Sequence, residues 1–306
     1  MSVRQGVETA LAQRRGASAG PLMLLGSAAC FGVNIPYARM AAALGVPGPD
    51  VVAFRVVVML VLLAIVAFAS RHALRVAAGE RLPLLGLSVV TGVLGLCYVS
   101  SVSFIPVGIA VLIFYTFPLL ILAATPFVDR VRLSARQVAA CVLAFAGIAL
   151  AIGPSLSALD WRGLALAALA SCAAATQFFF AARAPGGGGV ATLFWIHVTI
   201  LPVTLAISMA LGGPAPAANF QAAALPVALT TLFYLIGVAL QFRGLRQSTA
   251  AAAGLIYCIE PIVAVAFAAW LLGERLTPTQ YAGGALVLLA VGVSLASGGR
   301  KVEVAA

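Results

Sequence analysis

From Val51 to Ser70 the chain reads VVAFRVVVMLVLLAIVAFAS, with Arg55 as its only charge. A helix crosses the hydrocarbon core of a bilayer with about 20 apolar residues. Stretches of this kind recur along the whole sequence. Cutting at Pro, Gly and charge clusters gives ten of them: 21–44, 50–70, 82–104, 106–128, 134–153, 161–182, 190–212, 222–242, 248–272 and 277–297. The third and fourth have almost no loop between them. Composition agrees: 8% of the 306 residues are charged and 63% hydrophobic, against about 25% charged in soluble chains. Such a chain cannot cover a water-facing surface, so the expected fold is an all-α, polytopic integral membrane protein with ten transmembrane helices.

The distribution of charge orients these spans. Ten crossings put both termini on one side. Arg4, Arg14, Arg15, Arg71, Arg75, Arg81, Arg130, Arg132, Arg136, Arg183, Arg243, Arg246, Arg300 and Lys301 fall on that side; Arg39, Arg55, Arg162 and Arg275 fall on the other. Cytoplasmic loops carry the excess of Lys and Arg, so residues 1–20 and 298–306 are read as cytoplasmic tails. Val3, Val7 and Leu11 permit a short interfacial helix in the first tail; a disordered segment is the alternative. No cleavable signal is read, because the first apolar run is too long. The net charge of +10 fits loops facing anionic lipid. No basic tract for nucleic acid is present. Cys30, Cys97, Cys141, Cys172 and Cys258 lie inside apolar runs without C-x-x-C spacing, which suggests packing rather than metal or disulfide. No cofactor is expected.

The chain also repeats itself. At a shift of 143 residues Pro118 falls on Pro261, Arg132 on Arg275, Leu133 on Leu276 and Gln137 on Gln280. At 144, Ser27 meets Ser171 and Arg39 meets Arg183. The expected organisation is a first five-helix repeat (21–153), a connecting loop (154–160) and a second five-helix repeat (161–297). An odd number of helices per repeat means that the two enter the membrane from opposite sides. Inverted repeats of this kind are a frequent plan for carriers that alternate access around a midplane site.

Two segments carry a family resemblance. IEPIVAVAFAAWLLGERLTPTQYAGGALVLLAVGVSLAS (259–297) resembles the end of the EamA-type domain of the drug/metabolite transporter superfamily. GSAACFGVNIPYAR (26–39) resembles its opening helix and VVAFRVVVML its second, with the typical arginine at Arg55. The first repeat departs from the pattern: VDRVRLS (128–134) stands where G-E-R is expected, with Asp129 as the candidate substitute for the glutamate. The resemblance implies a ten-helix carrier exporting small metabolites from bacteria, often amino acids, including aromatic ones. The inner membrane is then its place, small solutes and lipids its partners, protons a candidate coupling ion, and a monomer a candidate state.

Within the spans, chemistry is sparse. Glu260 sits directly before Pro261 in a long apolar run, and an ionised carboxylate there costs roughly 2.5–3.5 kcal/mol on insertion scales. Three roles are open to it: a protonatable coupling group, a site for a substrate amine, or a structural acid. Pro118 and Pro261 free the carbonyls of Phe114 and Tyr257 four residues earlier, and exposed backbone at that depth is tolerated where it lines a cavity or packs on protein. Substrate contact is expected from Asn34, Tyr37, Tyr98, Phe114, Tyr115, Gln177, Tyr234 and Tyr257. Glu260 serves coupling or structure, and the two prolines act as hinges or packing kinks. Ser101, Trp195, His197 and Gln241 are further polar or aromatic groups. His197 is read as a proton shuttle or a satisfied interhelical donor. Arg55 is expected to snorkel to the outer interface or pair with Asp50 one turn away; Glu274 and Arg275 are candidate caps for the ninth helix.

The Pro185–Gly189 run reads as a flexible linker, and no phosphate-binding loop surrounds it. The residues therefore point to a secondary carrier of amino acids or similar small metabolites. A carrier of drugs or other metabolites, a channel and an intramembrane enzyme are the alternatives. An enzyme needs paired acids or a nucleophile beside a base, which the sequence does not offer.

Overall fold

The computed structural model describes residues 3–71, 74–101, 104–105, 107–131, 133–153, 159–184, 189–273 and 275–297. Arg132, Glu274, most of the 154–160 loop and of the Pro185–Gly189 run, and the 298–306 tail lie outside the described residues. Among the described residues every regular element is helical. Thirteen α-helices follow one another: α1 (Val3–Ala43), α2 (Gly48–Ala69), α3 (Arg81–Ser101), α4 (Val107–Phe114), α5 (Phe117–Val128), α6 (Ala135–Ile152), α7 (Trp161–Ala182), α8 (Val190–Ala210), α9 (Ala217–Ala222), α10 (Ala224–Leu245), α11 (Ala250–Tyr257), α12 (Ile259–Leu272) and α13 (Pro278–Ser297). Nine described stretches are long and apolar enough to cross a membrane, with α4–α5 and α11–α12 each forming one; a tenth, 278–293 in α13, is apolar but shorter. The chain is a multi-pass membrane protein. Helix α1 starts at Val3, so the residues read as an amino-terminal tail continue into the first span.

Helix ends follow local chemistry. Ser134 starts α6 with a capping box: its hydroxyl accepts from the Gln137 amide, and the Gln137 side chain accepts from the Ser134 amide at 2.9 Å. Thr277 and Gln280 repeat the arrangement ahead of α13, with the Thr277 amide donating to Gln280 Oε1 at 2.8 Å. Two orphan N–H groups are satisfied at each start. The Gln137/Gln280 sequence match therefore marks two equivalent caps. Asp160 caps α7 by accepting from the Arg162 amide at 2.8 Å. The Arg162 side chain folds back onto the same carboxylate, at 2.7 Å from Nη2 to Oδ2, and these bonds hold the Asp160 carboxyl below its usual pKa. Gly153 and Gly273 end α6 and α12 with φ of 55° and 69°, a left-handed conformation that glycine adopts without a Cβ clash.

The principal pairings are α1 with α10 and α12, α3 with α7 and α8, α2 with α8, and α6 with α13. At two of these a glycine lies against the partner helix's backbone, too close for a side chain. A Cβ on Gly283 of α13 would meet the Ala151 amide nitrogen and the Gly147 carbonyl oxygen of α6, each at 2.5 Å. A Cβ on Gly32 of α1 would meet the Glu260 carbonyl oxygen at 2.7 Å. Small residues let backbones approach in this way where lipid supplies no hydrophobic drive between helices.

Candidate functional site

Both prolines that recur in the sequence follow interruptions. Helix α4 ends at Phe114 and α5 begins at Phe117; α11 ends at Tyr257 and α12 begins at Ile259. A kink in mid-span was expected at each proline. Pro118 and Pro261 lie in the first turns of α5 and α12, where no intrahelical partner awaits the missing N–H. The break itself falls just upstream, at Tyr115–Thr116 and at Cys258. The two breaks are neighbours: a Cβ on Gly254 of α11 would meet Ile121 Cδ1 at 2.9 Å and Pro118 Cα at 3.5 Å.

Glu260 occupies the first turn of α12. The positive end of the helix dipole favours an anion at that position. Glu260 is set deep among the helices yet keeps some accessible surface. Tyr98, Tyr115 and Tyr257 lie near it. Its counterpart at the other break is Phe117, so only one break carries an acid.

Beside this acid aromatic side chains pack into a continuous wall that runs through the core, where Tyr115, Phe117, Phe178 and Tyr257 are buried. Tyr98 lies 4.7 Å from Phe114 between ring centroids, Phe114 lies 5.3 Å from Tyr115, and Tyr115 5.8 Å from Phe117. The wall continues from Phe117 to Phe178 at 5.3 Å and on to Tyr257 at 5.1 Å. Phe31 then stands 6.3 Å from both Tyr257 and Tyr234. Five expected site residues thus come together: Tyr98, Phe114, Tyr115, Tyr257 and Tyr234. The reading of the sequence missed Phe31, Phe117 and Phe178, which have no polar atom to set them apart from core.

Hydroxyls brace the two breaks. Ser27 of α1 donates to the Gly237 carbonyl at 2.7 Å and lies 2.6 Å from the Tyr257 hydroxyl. Ser171 of α7 lies 2.8 Å from the Thr116 hydroxyl, which also donates to the Ile113 carbonyl at 2.7 Å. Ser27 and Ser171 are a matched pair in the sequence, and each reaches a break in the other half of the chain.

The remaining candidates are distributed more widely. Asn34 is buried and joins α1 to α10: its Nδ2 donates to the Thr230 carbonyl, and its own carbonyl accepts from the Thr230 hydroxyl at 3.3 Å. Gln177 of α7 donates to the Thr91 hydroxyl of α3 at 2.9 Å. Tyr37 stands apart, stacked on Phe233 at 6.1 Å and against Phe267, whose neighbour Trp270 is exposed.

His197 is engaged at both nitrogens, with the Leu193 carbonyl at 2.7 Å from Nδ1 and the Tyr234 hydroxyl at 2.9 Å from Nε2. A carbonyl only accepts, so Nδ1 carries a proton; in the neutral ring Nε2 then accepts from Tyr234.

Arg55 differs from expectation. It turns inward, with its guanidinium 4.1 Å above the Tyr234 ring and Nη1 3.5 Å from Asn34 Oδ1. Asp50 is taken elsewhere: its carboxylate accepts from the Ser208 hydroxyl and from the Ala215 amide at 2.7 Å. Asp129 likewise has a partner, forming an ion pair with Arg183 where α5 and α7 end. Beside that pair an open apolar groove of about 550 Å³ runs between α5 and α7, lined by Leu120, Ala124 and Phe180 among others. None of the residues expected to contact substrate lines it. Among the described residues no group of His, Cys, Asp and Glu is placed to hold a metal ion.

Comparison with known proteins gives concordant results. The sequence model of the EamA-like transporter family matches residues 18–153 and, a second time, 161–296. The threonine/homoserine exporter RhtA of Escherichia coli K12 is 29% identical over 251 residues, covering 82% of this chain and 83% of the exporter. Exporters of the same name from E. coli O6:H1 and O157:H7 match equally. A solved crystal structure of another protein shares the fold, with a TM-score of 0.73 over 92% of this chain and 98% of that one, at 17% identity.

Proposed function

The chain belongs to the EamA-like transporter family, and from that premise we propose that it is a secondary carrier exporting amino acids or similar small metabolites across a bacterial inner membrane. The observation that carries this reading is the pair of neighbouring helix breaks, one of which holds Glu260 against an aromatic wall. Discontinuous helices with unspent backbone groups and end dipoles are what secondary carriers use at a midplane site. An aromatic surface with few polar points suits an amphipathic solute of amino-acid size. The likeness to threonine/homoserine exporters makes L-threonine and L-homoserine the first solutes to test, with aromatic amino acids next because of the wall.

Alternating access follows from an inverted repeat. Supporting it are the double family match, the equivalent caps at Ser134 and Thr277, the equivalent breaks before Pro118 and Pro261, and the crossed serines. In this reading the wall is the substrate site and both termini are cytoplasmic. Glu260 is the coupling acid, exchanging its proton as the carrier cycles. Solute or proton drives the cycle only through different affinities for the two states.

The test is counterflow in proteoliposomes containing the purified chain. A carrier preloaded with unlabelled L-threonine, L-homoserine or L-phenylalanine draws in the labelled solute. Flux without trans-stimulation identifies a channel, and a chemically altered solute an enzyme; either result overturns the proposal.

A further inference from the structure

Arg55 is an intramembrane cation with donors to spare. A guanidinium presents five N–H donors in a rigid planar fork. In Arg55 the buried Nε has no hydrogen-bond partner, and the bond from Nη1 to Asn34, at 3.5 Å, is long. Among the described residues no carboxylate stands within ion-pair distance. Asp50, the acid nearest in sequence, is saturated by Ser208 and Ala215. Two arginines elsewhere do hold carboxylates: Arg162 pairs with Asp160 and Arg183 with Asp129.

The surroundings fix the plane of this cation and take up at most one of its donors, in the long bond to Asn34. Tyr234 lies beneath it as a π-face, an arrangement that attracts a guanidinium yet leaves its edge free. Tyr234 is itself held by His197, and Asn34 is anchored on Thr230. Charged side chains at membrane depth are rare, face the interior of a bundle and mark substrate or ion paths.

We infer that Arg55 is a specificity-determining residue that anchors the carboxylate of the transported solute. The fork takes both carboxylate oxygens, with Tyr234 as its platform and Asn34 at its side. The inference rests on the carrier reading and narrows it: the solute carries a free carboxylate, and amines, alcohols and cationic drugs lacking one are rejected.

The test is thermal unfolding of the purified full chain in detergent with four probes, L-threonine, L-phenylalanine, L-threoninol and L-phenylalaninol. The alcohols differ from the acids only in replacing carboxylate by hydroxymethyl. At least one acid is expected to raise the unfolding temperature, and its alcohol to bind about tenfold more weakly or worse. Arg55→Gln abolishes the acid's effect; Arg55→Lys keeps the charge but not the fork and retains part of it. If Arg55→Gln does not fold, the acid–alcohol comparison and Arg55→Lys decide. Equal stabilisation by acid and alcohol, undiminished acid binding in Arg55→Gln, or no response of the parent to any probe overturns the inference. Counterflow separates it from the carrier reading. Acids that bind through Arg55 without trans-stimulation would sink the carrier and leave the anchor standing; L-threonine counterflow undiminished in Arg55→Gln would do the reverse.

Discussion

The hydroxyls of Ser27 and Tyr257 lie 2.6 Å apart across 230 positions of sequence, tying the middle of α1 to the end of α11. Ser27 gives its one proton to the Gly237 carbonyl, so Tyr257 is the donor between them. The two partners are therefore unequal. Tyr257→Phe removes one hydrogen bond and leaves Ser27 satisfied, a loss of about 0.5–1.5 kcal/mol. Ser27→Ala strands a buried tyrosine hydroxyl, at about 1–3 kcal/mol. Unfolding temperatures in one detergent should rank the parent first, Tyr257→Phe second and Ser27→Ala last; the reverse order of the variants would mean that the donor has been misassigned.

Replacing Pro261 by alanine restores a backbone N–H at the start of α12 and lets α11 and α12 approach one continuous helix. Counterflow is expected to fall about tenfold or more, in line with misplacing binding groups by ~1 Å, while size-exclusion profile and unfolding temperature stay near those of the parent. Parental flux with parental folding would reduce the break to a packing feature.

Glu260→Gln retains shape and hydrogen-bonding capacity but cannot titrate. Counterflow of a neutral amino acid should survive at neutral pH, and its dependence on pH should flatten. A parental pH profile in Glu260→Gln would rule out proton coupling through this acid.

The α6–α13 contact predicts a steric effect remote from the site. A side chain on Gly283 meets backbone at 2.5 Å, which no rotamer can relieve, and overpacking of this kind costs about 1–3 kcal/mol. Gly283→Val should lower the unfolding temperature. Gly92→Ala, with nothing within 4 Å of the added carbon, should hold or raise it, because alanine gains about 0.5–1 kcal/mol over glycine inside a helix.

These features were not equally legible in the sequence. The spans were, because they are written locally as apolar length; the caps at Ser134 and Thr277 also have a local signature, S/T-x-x-Q, but the sequence reading used Gln137 and Gln280 only as a repeat match. Pro118 and Pro261 lie in the first turn of α5 and α12, just past an interruption within a single span. Arg55 was misread for a physical reason. Helical spacing offers Asp50 as its partner, yet Asp50 bonds to residues 158 and 165 positions away, and no periodicity encodes that. The tyrosines announced themselves by their hydroxyls, whereas Phe31, Phe117 and Phe178 complete the wall with nothing to separate them from ordinary packing. The matched serines stood in the sequence as a repeat signal, and only the fold gave them work.

The crossed partnerships have a consequence for biogenesis. Helix α1 finds its mates in α10 and α12, α3 in α7 and α8, and α6 in α13; each couples one family-matched segment to the other. The Gly237 that Ser27 needs is made 210 residues later, which at about 5–20 residues per second is a delay of roughly 10–40 s. Until then the earlier helices wait in the bilayer with their small-residue seams open to lipid. A ribosome stalled near the middle of the message would leave an inserted but unassembled intermediate, a ready target for membrane quality-control proteases.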